Sequence, residues 1–113
     1  MGLNIEKFDI VLCKFYFTDL KSYKNRPVLI LKDNLPFDDF LVIAISSKVN
    51  KLFDDEILID NHAFKNGEIP KTSKVMLRKT FVIEKSMIVK KYGKLTDTAM
   101  DEIHESLCNF YQC

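Results

Sequence analysis

The chain has 113 residues, 47% apolar and 29% charged, with three Pro and three Gly. That describes one folded domain with enough apolar material for a core, and it excludes a disordered or fibrous chain. Seventeen Lys and Arg against sixteen Asp and Glu leave a formal charge of +1, which excludes a protein that holds polyanions by bulk charge; an anion site must be a local concentration of cations.

Charge is segregated along the sequence. Asp54, Asp55 and Glu56 are clustered, whereas residues 71–94 carry Lys71, Lys74, Arg78, Lys79, Lys85, Lys90, Lys91 and Lys94. Cys13, Cys108 and Cys113 have no paired spacing. Cys13 and Cys108 therefore read as small buried hydrophobes of a reducing cytoplasm rather than as a disulfide framework. The start MGLNIEKF lacks the charged-then-apolar order of a signal peptide, and no run approaches the roughly 18 apolar residues that span a bilayer. The expectation is a cytoplasmic protein with no membrane partner.

In chain order, FDIVLCKF (8–15) is apolar on both alternating faces and predicts a strand covered on both sides. PVLILK (27–32) predicts a second strand with Pro27 as its first residue, and DNLPFDD (33–39) a loop. FLVIAI (40–45) predicts a third strand and EILID (56–60) a fourth, followed by a long loop broken by Gly67 and Pro70. KVML (74–77), FVI (81–83) and SMIVKK (86–91) complete the β pattern. The period then changes: Met100, Ile103, Leu107 and Phe110 form one helical stripe, with Thr96 or Thr98 as N-cap and Asp97 at the positive end of the helix dipole. About six or seven short strands and one helix predict a mainly-β α+β fold, a single domain over 1–113 in which the sheet curls into a small barrel to hide its edges.

Metal chemistry finds little support, because His62 and His104 have no ligand-spaced companions. Gly-rich phosphate loops and nucleophile elbows are absent from the sequence. Cys13 lies within a strand-like run, where burial would raise its pKa and deny access. What remains is FYFTDLKSYKNR (15–26), ending at one of only two arginines, together with AISSKVNK (44–51). If the first and third strands lie side by side, their ends bring Thr18, Lys24, Arg26, Ser46, Ser47 and Lys48 together, a set of donors suited to a phosphodiester. The plainer alternatives are solvated lysines and serines at strand ends, and an ion pair between Arg26 and Asp19.

FDIVLCKFYFTDLKSYKNRPVLIL resembles the N-terminal signature of the PemK/MazF family of bacterial toxins, in which a Gly-Asp-Ile-Val strand leads through Phe-Pro-Phe-Thr-Asp to Arg-Pro and a second apolar strand. VIAISSK resembles the family's next strand, which ends in a Thr-Ser or Ser-Ser pair, and SKVMLRKTFVIEKSMIVKKYGKLTDTAMDEI resembles its later block. The resemblance implies an SH3-like barrel that pairs as a homodimer and a metal-independent, sequence-selective endoribonuclease without cofactors. It also implies a cognate antitoxin, operator DNA contacted only through the antitoxin complex, and attack by the RNA 2′-hydroxyl to leave a 2′,3′-cyclic phosphate and a 5′-hydroxyl.

By the same resemblance Arg26 and Ser46 are the catalytic positions, and Thr18, Lys24, Ser47, Lys48 and Arg78 bind substrate. Departures stand at Phe8 and Tyr16, where the family has Gly and Pro, and at Met76 and Arg78, where some members carry an Arg and an Asp that assist proton transfer. The alternative is a non-catalytic member that binds nucleic acid or a protein target, as gyrase-poisoning relatives do through a C-terminal helix, or a barrel that only dimerises.

Overall fold

A computed structural model describes residues 4–16 and 19–113. Seven strands form: β1 (Asp9–Tyr16), β2 (Tyr23–Lys32), β3 (Asp39–Ser46), β4 (Glu56–Ile59), β5 (Phe64–Gly67), β6 (Ser73–Glu84) and β7 (Ile88–Leu95), followed by helix α1 (Asp97–Tyr111). They make one antiparallel sheet in the order β4-β6-β3-β2-β1-β7-β5, curled into a half-barrel with β4 and β5 at its edges. The mainly-β architecture with a terminal helix agrees with the sequence.

Strand alternation divides the core. On one face Ile10, Leu29, Ile43, Ile45, Val75 and Leu95 pack against Met100 and Ile103 of α1. On the other, Val11, Cys13, Val28, Ile30, Val42 and Ile83 pack with Ile5 and Phe40. A strand between two such clusters must be apolar on both faces, which is why β1 and β2 read as continuous apolar runs.

Three strand expectations are corrected. The first and third strands are not neighbours; β2 lies between them, as expected for successive strands joined by short links. KVML and FVI are one long strand, β6, which absorbs a register shift opposite Ile43–Ile45. The expected long loop after residue 60 contains β5, an edge strand held by its ladder to β7 and by Phe64, its one core-packed apolar side chain. Gly67 has φ 76°, and the β5–β7 approach is so close that a Cβ on Gly93 would strike the Asn66 carbonyl oxygen.

Pro27 is not the first residue of its strand, which begins at Tyr23. Residues 23–27 pair only with β1, and the β2–β3 ladder starts at Val28–Ala44. Pro27 has no N–H with which to extend that ladder.

In α1 the Thr96 hydroxyl caps the helix, accepting the Ala99 N–H at 3.1 Å. Met100 and Ile103 are fully buried and Leu107 partly so, whereas Phe110 is 42% exposed. The last member of the stripe is therefore not core, although the final turn still reaches β6 through a 3.0 Å hydrogen bond between the Tyr111 and Thr80 hydroxyls. Cys108 is joined to Cys113 in a disulfide and is only half-buried, contrary to the expectation of a buried free thiol; Cys13 is free and buried as expected.

Half of the basic block at 71–94 is neutralised in space. Lys74 and Arg78 pair with Glu56 and Asp55, and Lys91 and Lys94 pair with Asp9 and Glu6. Asp9 is wholly buried, and its Oδ2 accepts the Glu6 N–H at 2.9 Å, while Lys91 and Lys94 of β7 donate to the Asn4 and Lys7 carbonyls at 3.4 and 3.1 Å and so pin the N-terminal segment to β7.

Candidate nucleic-acid interface

Two residues beyond the Val28–Ala44 pair lie Arg26, within β2, and Ser46, the last residue of β3. Extending the register puts Arg26 and Ser46 level, and period-two alternation puts both on the face of Val28 and Ala44. Arg26 is also the ladder partner of Cys13, and Ser46 that of Lys74.

A cleft of about 350 Å³ opens on this face. Val28, Ala44 and Ile45 line it with Met76, Phe15 and Phe81, and Arg26 and Lys79 bring two cations. Phe15 and Phe81 meet edge to face with centroids 5.7 Å apart. The lining holds no carboxylate, so two like charges and two aromatic rings present a surface for an anion that carries a flat apolar group. Lys79, Phe15 and Phe81 were not singled out from the sequence: Lys79 is one of many lysines, and the phenylalanines sit in apolar runs that read as core.

Arg26 makes no ion pair or side-chain hydrogen bond among the described residues, and it is exposed. Asp19, its alternative partner, instead accepts the Lys21 and Ser22 N–H groups at 2.9 and 3.0 Å and the Ser22 hydroxyl at 3.1 Å. The Ser22 and Lys21 amides hold its carboxyl below the usual range. Ser46 Oγ accepts the Lys48 N–H at 3.1 Å, which closes the end of β3 and leaves the hydroxyl proton free to be donated outward.

The remaining expected residues are dispersed. Lys24 is two residues before Arg26 on the same face of β2 and is exposed, as is Lys48. Ser47 lines a second groove, of about 240 Å³, with Asn25, Lys71, Ser73 and Tyr92; its place one residue beyond Ser46 turns it to the other face. Thr18 lies outside the described residues.

Arg78 is directed elsewhere. Its guanidinium donates to both Asp55 carboxylate oxygens at 2.8 and 2.9 Å and to Glu56 at 3.1 Å, and these bonds raise its pKa. Lys74 donates to Glu56 at 2.8 Å and to the Lys51 carbonyl at 3.0 Å. The Lys74 bond, then the Phe53 amide, holds the Glu56 carboxyl down at about 2. Burial pushes the Cys13 thiol up to about 12, which removes it as a nucleophile at neutral pH. His62 is exposed beside Asp60, and His104 packs edge-on against Phe8.

No curated protein sequence matches the chain. Solved structures share its fold, three of which follow. A mycobacterial endoribonuclease in complex with its cognate antitoxin superposes with a TM-score of 0.68 at 15% identity, over 94% of this chain and 93% of that one. A second mycobacterial endoribonuclease gives 0.66 at 15% identity over 96% and 92%. The Mycobacterium tuberculosis toxin MazF-mt6 gives 0.65 at 19% identity over 90% and 96%. The family model for the PemK-like, MazF-like toxins of type II toxin-antitoxin systems matches residues 6–111, and the chain belongs to that family.

Proposed function

We propose that the protein is the toxin of a type II toxin-antitoxin pair and cleaves single-stranded RNA at a short sequence without a metal. The observation that carries this reading is Arg26, without an ion pair among the described residues, at a carboxylate-free aromatic cleft and level with Ser46. Structural relatives named as endoribonucleases support it.

The reaction breaks one bond and forms another. The 2′-oxygen attacks the adjacent phosphorus, the bond from phosphorus to the 5′-oxygen breaks, the 2′-hydroxyl proton is lost and the leaving oxygen gains one. Arg26 stabilises the negative charge that grows on the non-bridging oxygens; a guanidinium is a standing cation with N–H donors and no acceptor, which suits charge stabilisation rather than proton removal. Ser46 donates a hydrogen bond from its hydroxyl to a phosphate oxygen and keeps its proton. Lys79 adds positive charge, Phe15 and Phe81 receive a base, and Lys24 and Lys48 hold flanking phosphates.

In this reading the protein acts in the cytoplasm as a homodimer, is silenced by a cognate antitoxin, and meets operator DNA only through that complex. A carboxylate-free cleft also suits a member that binds RNA without cutting it. End analysis separates the two: a cutter yields 2′,3′-cyclic phosphate ends, and one 2′-deoxy substitution at the cut site blocks the reaction, whereas a binder protects RNA and leaves it intact.

A further inference from the structure

Phe53 stands on the turn before β4, 49% exposed, with three cations around its ring. Lys51 Nζ is 4.8 Å from the ring centroid, Arg78 Cζ 5.7 Å and Lys74 Nζ 5.8 Å. An exposed phenylalanine is ordinary by itself; one encircled by cations is not. The turn is also rigid. The Phe53 N–H donates to Glu56 Oε1 at 2.8 Å, the Glu56 N–H returns to the Phe53 carbonyl at 3.0 Å, and Lys74 ties the Lys51 carbonyl to the same carboxylate.

The turn is joined to the cleft through β6. Lys74 is the ladder partner of Ser46, and Met76, which lines the cleft, is the partner of Glu56. With neighbouring strands about 4.8 Å apart, β3 and β4 are about 10 Å apart across β6. A single strand whose phosphate rests at Arg26 and Ser46 reaches the Phe53 turn within a short stretch.

We infer that Phe53 is a stacking platform for one base of single-stranded RNA flanking the cut site, with Lys51 taking the neighbouring phosphate. Asp55 and Glu56 hold Arg78 and Lys74 against the ring, so Lys51 is the cation left for RNA at this turn among the described residues. A pre-positioned ring binds a base without the entropy cost of ordering a loop. This inference rests on the reading of the cleft as an RNA site.

The chain has no tryptophan, so Phe53→Trp places one reporter at the turn. The probes are 2′-O-methyl oligonucleotides of random mixed sequence, which cannot be cut by 2′-hydroxyl attack, so binding is read apart from catalysis. The expected result is quenching of that tryptophan on binding, with no quenching in Phe37→Trp, a residue 94% exposed in the 3-10 turn Pro36–Asp38. Phe53→Ala and Phe53→Leu weaken binding about ten- to a hundredfold and Phe53→Tyr restores it. Binding that leaves the Phe53→Trp reporter unquenched, with unchanged affinity in Phe53→Leu, overturns the inference alone. Failure of the wild-type protein to bind any of the oligonucleotides overturns the RNA reading with it.

Discussion

Arg26 and Ser46 extend from neighbouring strands on one face, each two residues past the Val28–Ala44 pair where the β2–β3 ladder begins. Between Arg26 and that ladder lies Pro27, with no N–H to continue it. The Arg-Pro step thus sets a cation on a firm strand at the point where the sheet leaves room for a ligand.

Ser46→Ala removes a hydroxyl that both closes the β3 turn and faces the proposed phosphate. We expect cleavage to slow about 100-fold or more, while Ser46→Thr, which keeps the hydroxyl, stays near wild type. Single-turnover rates on one defined RNA measure both. Equal loss in the two variants would assign Ser46 a packing role.

The Glu56 network makes stability depend on acid. Its carboxyl lies at about 2 in the fold against an ordinary 4.5, the Lys74 hydrogen bond being the largest cause. Because the folded value is depressed, the stabilisation is fully present above 4.5 and is lost as pH falls towards about 2. Melting temperatures should therefore drop as the solution is acidified through that window, and Glu56→Gln should flatten the slope while lowering stability near neutral pH, because Lys74 then lacks its charge partner. An unchanged slope would remove Glu56 as its source.

Ile103 and Phe110 share a helical stripe but differ in burial. Ile103→Ala should cost about 2–5 kcal/mol, and Phe110→Ala less than about 0.5 kcal/mol. Urea titrations of the two variants test whether α1 docks through its first turns alone.

Gly93→Ala introduces a Cβ against the backbone of Asn66 and Gly67. Since backbone on an edge strand can move only by breaking its ladder, we expect β5 to detach and its amides to exchange faster with solvent, measured by hydrogen exchange. Protection equal to wild type would show that the approach is looser than described.

The strands and helix were legible because apolar period and capping chemistry are local: both faces of 8–15 are apolar, and Thr96 precedes the stripe. The order of strands was not, because β2 reaches β1 and β3 through contacts that no single segment encodes. β5 was hidden for the same reason, since Lys65, Asn66 and Gly67 are strand only by virtue of β7. In the cleft, the Arg-Pro step and the paired serines drew attention, yet alternation separated Ser47 from Ser46. Arg78 read as a free cation because Asp55 and Glu56, which hold it, lie 23 and 22 residues away.

The most direct measurement incubates wild type and Arg26→Ala with a long defined RNA in EDTA and maps the new ends. The account predicts cuts at one short recurring sequence, slowed about 100- to 1000-fold in the variant, with melting temperatures unchanged because the side chain is exposed. Equal cutting by both proteins, or none by a folded wild type freed of antitoxin, would contradict it.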